Sequence, residues 1–224
     1  MTKPLAQLNE EQFRANRFDL VSRLADDLAH EIKNPLNAIV INLEVLKVRA
    51  ARGDTTAAIE RVAVIEHEVR RLHHLMDRLL QLLRPESPDA DSLALDQVLD
   101  EVLPLVEAQA RLARNELSIE GLAPVPVPMR RDFLKFAVLN VLTAVHGRLG
   151  EGGGVLRLVC ETGPQQVRLV ITAVAGNGAR LRPADRAFAA ACSMASTLLD
   201  AAGGSLETVR CGVVLILPRR GKVA

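Results

Sequence analysis

In the stretch LAHEIKNPLNAIVINLEVL, residues 28–46, a histidine stands beside a carboxylate, with an amide one helical turn further on: His30, Glu31 and Asn34. A neutral imidazole nitrogen is a good nucleophile near neutral pH, so His30 is a candidate acceptor of a phosphoryl group. Glu31 could accept a hydrogen bond from the other ring nitrogen or take up a proton. Adjacent helical residues do not face each other squarely, so this needs a Glu31 rotamer that reaches round. Asn34 shares the face of the histidine, and its amide could orient a water against a phosphoryl group. A metal reading fails on spacing. HEIKN begins like H-E-x-x-H, but Asn34 stands where the second histidine of a helical zinc pair must be. His67, His73 and His74 read as solvated.

These residues need a helix to hold them. With His30 at zero degrees and the helix turning about 100° per residue, Leu28, Ile32, Leu36, Ile39, Leu43 and Leu46 fall on the far side as a core stripe. Asn34, Asn37, Ile41, Val45 and Val48 share the histidine's face and are expected to be exposed. Two features set His30 apart from an ordinary surface histidine. Pro35 lies inside the helix, where it costs about 3 kcal/mol unless something offsets it. The solvent face running away from His30 is apolar through Ile41, Val45 and Val48, which suggests a docking surface.

The helical pattern runs from about Glu10 to Ala51, Gly53-Asp54 break it, and Thr55 is available as an N-cap for a second helix from Thr56 to Leu83. Ile59, Val62, Ile65, Val69, Leu72, Met76, Leu79 and Leu83 recur there at spacings of three and four. Two long helices joined by a tight turn make a hairpin with one apolar stripe on each arm. Two such hairpins bury their stripes as a four-helix bundle, which predicts a homodimer.

RPESPDADS, Arg84 to Ser92, has two prolines, three acids and no apolar side chain beyond the prolines and Ala90, and reads as a boundary. The chain therefore divides into residues 1–84, a linker at 85–92, and residues 93–224. Beyond the linker, LDQVLDEVLPLVEAQARLAR is helical, ELSIEG and PVPVPM read as short strands, and RRDFLKFAVLNVLTAVHGRL is a helix. GVLRLVCETGPQQVRLVITAVAG reads as a hairpin turning near Gly163-Pro164. PADRAFAAACSMASTLLDAAGG is a helix with Pro183 near its start, and SLETVRCGVVLILP is a closing pair of strands. The fold class is α+β: the helical hairpin, followed by an α/β sandwich with helices on one face of a mixed sheet.

Bulk properties narrow the partners. The chain has 224 residues and a formal net charge of +1, which gives no general reason for a nucleic-acid or membrane-surface partner. It has no Trp or Tyr and five Phe, too few for stacking on single-stranded nucleic acid. Cys160, Cys192 and Cys211 form no paired framework and read as reduced thiols. The first twenty residues carry no apolar run, and no segment approaches the roughly 18 uninterrupted apolar residues of a membrane span. A cytoplasmic protein is expected.

HEIKNPL, a specific contiguous match on a helix, resembles the H-box of the sensor histidine kinases of two-component systems, and the similarity extends over roughly Leu24 to Leu83. The resemblance implies that His30 is the phosphorylated histidine and that Glu31 assists phosphoryl transfer. It places Asn34 where the family assists dephosphorylation of the partner. Lys33, Asn37, Ile41 and Val45 would then dock a response-regulator receiver domain, with magnesium expected on that receiver. The family also makes its helical hairpin a four-helix dimer.

The second half resembles the ATP-binding domain of the same family with the ATP site removed. FAVLNVLTAVHG aligns with the helix whose asparagine holds magnesium in that family. Asn140 matches the earlier asparagine of the motif, and the magnesium-binding position falls on Ala144. VAGNG takes the place of D-x-G-x-G, with Gly176 and Gly178 kept and Val174 where the adenine-recognising aspartate belongs. ARLRP leads almost directly into the next helix, where the family has a mobile lid and a second glycine box. The Gly-rich EGGGV, residues 151–155, aligns with a helix-to-strand turn. The expectation is a dimeric histidine phosphotransferase that moves phosphoryl groups between receivers through His30, without ATP, magnesium or any other cofactor of its own. Three alternatives stay open: an active histidine kinase with a diverged nucleotide site, a regulator that docks a receiver or a kinase and transfers nothing, and a receiver phosphatase acting through Asn34.

Overall fold

The computed structural model describes residues 10–83, 93–150, 153–176 and 179–219, with the side chains of α1 described continuously from Ile32 onward. The expected linker at 85–92 lies outside the described residues. Cα proximity divides the chain into two compact units, Val21–Arg84 and Pro85–Ala224, the latter grouped with Met1–Leu20.

The first unit holds the hairpin formed by α1 (Glu10–Ala51), from Val21 onward, and α2 (Thr55–Leu83). The sequence in the turn dictates how one helix stops and the next starts. Gly53 adopts φ +74°, a left-handed conformation that glycine reaches without a Cβ penalty. Its amide donates to the Ala50 carbonyl at 3.1 Å, and the Asp54 amide donates to the Arg49 carbonyl at 3.1 Å, the paired bonds of a Schellman stop. Asp54 then caps α2, its Oδ1 accepting from the Ala57 amide at 3.2 Å. The cap is therefore Asp54 and not Thr55, which is already the first helical residue. The aspartate wins because its side chain sits where the Schellman turn leaves it, one residue nearer the helix mouth. Across the hairpin, Arg61 Nη1 donates to Asn42 Oδ1 at 3.4 Å, while Asn42 Nδ2 donates to the Ala38 carbonyl. Pro35, inside α1, is buried.

The second unit is an α/β sandwich. Its sheet has five strands in the order β2-β4-β5-β7-β6: β2 (Glu116–Glu120), β4 (Val155–Thr162), β5 (Gln166–Val174), β6 (Ser205–Val209) and β7 (Gly212–Pro218). Among the described residues of this sheet, β2 and β4 pair in parallel and the other neighbours pair antiparallel. A separate pair, β1 (Leu93–Ala94) with β3 (Pro126–Val127), brings Leu93 opposite Val127. β1 is an addition to the sequence reading, since two residues are too few for any periodicity to register. Alternate residues of the central strands are buried on one face: Leu156, Leu158, Val167, Leu169, Ile171, Val213, Leu215 and Leu217. That period-two burial is what a sheet covered on one side requires. The cover is α3 (Leu95–Leu112), α4 (Arg131–Gly147) and α5 (Arg186–Asp200). α4 runs buried from Leu134 to Leu142, so it is the central helix of the layer. α5 begins at an aspartate cap, Asp185 Oδ1 accepting from the Phe188 amide at 2.8 Å.

Candidate phosphotransfer site

His30 and Glu31 lie on the helical backbone of α1, and their side chains lie outside the described residues. Around them the described side chains fall into three rows. Ile32, Ala38, Ile39, Asn42, Val45 and Leu46 are half-buried and Pro35 is buried, at the three- and four-residue spacing of one helical face. Lys33, Asn34, Asn37 and Ile41 are exposed, Ile41 at 62%. Leu36, Val40 and Leu43 form a third row and are exposed in the single chain, at 43%, 58% and 39%.

The expected exposed face therefore holds at Asn34, Asn37, Ile41 and Val48, whereas Val45 is half-buried. An ideal step of about 100° per residue places a side chain fifteen positions from His30 only coarsely, because small departures from ideal pitch accumulate along the helix. Val45 and Val48 with Glu44, Arg49 and Arg52 line an open cavity of about 350 Å³ near the C-terminal end of α1. The charged residues at that end are paired locally, Glu44 with Lys47 at 2.7 Å and Arg49 with Asp54 at 3.3 Å. His67, His73 and His74 of α2 are exposed. α2 carries its own row of exposed apolar side chains: Ile59, Val62, Val69, Met76 and Leu80.

In the second unit, the positions aligned with a nucleotide site carry different chemistry. Asn140 is buried in the middle of α4, and its Nδ2 donates to the Phe136 carbonyl at 2.8 Å, one turn back along its own helix. Ala144, one turn further on, offers no ligand atom. Val174 ends β5, half exposed at 51%, with no acceptor for an adenine amino group. Gly176 has a structural reason to be glycine: a Cβ built there would sit 1.9 Å from the Gly153 carbonyl oxygen. The glycine run at 153–154 is likewise engaged, since the Gly154 amide donates to Asn115 Oδ1 at 3.0 Å and the Gly153 amide to the Arg114 carbonyl at 2.9 Å. The side chains present at these positions do not fit a magnesium nucleotide.

One ionic cluster, built around the buried Lys135, carries no distinct signal in the sequence pattern. Glu101 of α3 accepts from Arg131 and sits 3.0 Å from the Lys135 ammonium of α4, with Lys135 almost wholly buried. Burial works to raise the Glu101 carboxyl, and the two cations outweigh it, leaving its pKa below the ordinary carboxylate value. The signal available was a lysine inside an otherwise apolar helix, FLKFAVL, which a pattern reading takes for a solvent-facing position.

Residues 20–88 match the His Kinase A (phospho-acceptor) domain. Over 176 residues the chain is 25% identical to Sporulation kinase D of Bacillus subtilis, an alignment that covers 78% of this chain and 34% of that protein. Over 168 residues it is 30% identical to the sensor histidine kinase ZraS of Klebsiella oxytoca, covering 74% of this chain and 36% of the relative. Among solved structures, histidine kinase ThkA in complex with response regulator protein TrrA aligns over 100% of this chain and 69% of that one, at 18% identity and a TM-score of 0.46. The chain spans about a third of the length of the two curated relatives. The phospho-acceptor domain together with these kinase relatives supports the two-component sensor histidine kinase family for this chain.

Proposed function

We propose that this protein is a histidine phosphotransferase of a two-component relay. His30 takes a phosphoryl group from the aspartate of one response-regulator receiver domain and passes it to another, and the chain uses no ATP of its own. The observation that carries this reading is a contrast between the units. The acceptor motif HEIKNPL is whole, while the places aligned with the metal and adenine ligands hold Ala144 and Val174.

In the step itself, an imidazole nitrogen of His30 attacks the phosphorus of the receiver's acyl phosphate. The N–P bond forms as the P–O bond to the aspartate breaks, and the aspartate leaves as a carboxylate with the electron pair. The proton on the other ring nitrogen stays in place, held by Glu31. Reversal on a second receiver completes the relay, with magnesium supplied by the receiver. Lys33, Asn37, Ile41 and Val45 form the docking strip, and Asn34 orients water when the receiver is to be dephosphorylated.

The working unit in this reading is a homodimer. Leu36, Val40 and Leu43 on α1 and Ile59, Val62, Val69 and Met76 on α2 are apolar rows left uncovered in the single chain, and a second copy of the hairpin would bury them. Among the described residues no helix is long and apolar enough to cross a membrane.

Purified protein offered labelled magnesium-ATP in one reaction and a labelled phospho-receiver in another, with His30→Ala in both, tests the proposal. Label reaching His30 from the receiver alone is the expected result. A second reading, autophosphorylation from ATP, draws on the kinase names of the relatives. Label arriving on His30 from ATP establishes that reading and removes the first.

A further inference from the structure

The segment Ala179–Asp185, which leads into α5, is held through Arg148, the residue that follows α4. The Arg182 amide donates to the Arg148 carbonyl at 2.8 Å, and Arg148 Nε donates back to the Arg182 carbonyl at 3.1 Å. The two Nη atoms reach the Arg210 carbonyl, in the turn between β6 and β7, at 3.4 and 3.5 Å. The guanidinium carbon lies 5.3 Å from the centroid of the Phe188 ring, in the first turn of α5, a cation–π distance. The strap is clamped from its other side as well. A Cβ built on Gly150 would meet Arg182 Nε at 3.1 Å, a tight contact, and Gly150 has φ +69°, so the Arg182 side chain packs closely over a glycine in the left-handed region. Arg148 also acts on Cys192, one turn beyond Phe188 and buried like it. Burial raises the pKa of that thiol, and the Arg148 charge partly offsets the rise.

By the family resemblance, a mobile lid and a glycine box belong in this stretch. We propose that Arg148 is a latch that holds the strap Ala179–Asp185 against the ends of α4 and α5 and the β6–β7 turn, so that a permanently closed segment takes the place of a lid. A planar guanidinium with donors on several edges can bridge Arg182 and Arg210 at once, which a lysine ammonium on a flexible stem cannot do with the same geometry. The latch belongs to the second unit alone and stands whichever donor phosphorylates His30.

Hydrogen exchange by mass spectrometry and thiol labelling, on the full chain, test it. In wild type, the strap amide of Arg182 is protected like the amides of α4, and exchange at the rate of open chain overturns the latch with no variant needed. Arg148→Gln should raise strap exchange and Cys192 labelling by roughly tenfold, the population change expected on losing a charge-assisted hydrogen bond. The sign is informative, because loss of the charge alone would raise the thiol pKa and slow labelling. Cys160, buried in the sheet, reports global unfolding. Arg148→Lys keeps the charge and loses the bridge, so strap exchange should rise there too. Strap protection unchanged in Arg148→Gln, or fully restored by lysine, overturns the proposal. If Arg148→Gln exposes Cys160 and unfolds, the wild-type exchange and the lysine variant decide.

Discussion

Asp54 both ends α1 and starts α2: its amide closes the Schellman stop, and its carboxylate caps the second helix. Asp54→Ala should therefore lower stability by about 1 kcal/mol, the usual loss for a removed N-cap, while Thr55→Ala should be close to neutral. Urea midpoints of the two variants check the assignment, and a larger loss at Thr55 would contradict it. Glu101 gives a second prediction at this scale. Its folded pKa lies below the ordinary carboxylate value, so the ion cluster stabilises the protein at pH above that value. This contribution is lost as pH falls through the depressed folded value. Glu101→Gln removes one partner of the nearly buried Lys135, a loss on the order of 3 kcal/mol. The difference from wild type should be full at neutral pH and shrink below about pH 4.5. A difference that persists undiminished into acid would mean the cluster contributes through packing alone. Lys135 was illegible in the sequence for a physical reason. Burial of a charge depends on a partner from another helix, and no local pattern announces Glu101.

At the scale of the helices, the sequence made most of the elements that carry the candidate site legible, because amphipathic spacing and turn chemistry are local. The limits of α1 and α2, the hairpin and, β1 apart, the strand and helix order of the second unit follow from such signals. Angular phase was legible only in part. Ile41 is exposed, but Val45 turns toward the half-buried row with Ala38 and Asn42. The two docking positions should therefore separate on mutation. Ile41→Glu should leave thermal stability within about 0.5 kcal/mol, as surface changes do, while reducing the rate of phosphoryl exchange with the receiver. Val45→Glu should lower stability as well, since the carboxylate enters a half-covered site. Transfer unaffected by Ile41→Glu would remove this strip from the docking surface.

At the scale of the whole molecule, Leu36 and Leu43 connect the fold to its assembly. Their positions in the apolar pattern assign them to a core, yet the single chain leaves them 43% and 39% exposed. Both statements hold together if the core is completed by another hairpin, and a sequence pattern cannot say which chain supplies the rest. The consequence is measurable in two ways. Melting temperature should rise with protein concentration, because association stabilises only the folded state. Leu36→Glu combined with Leu43→Glu should sediment as a monomer, since two carboxylates would have to be buried without partners for the bundle to close. The strands and helices of the second unit, which bury their own core, should keep their secondary structure in that variant. Phosphoryl transfer then separates assembly from chemistry. A monomer that still takes label from a phospho-receiver onto His30 has all its transfer groups within one hairpin. One that takes none requires the second copy for docking. A dimer that survives both substitutions would place the interface on the α2 row of Ile59, Val62, Val69 and Met76 instead.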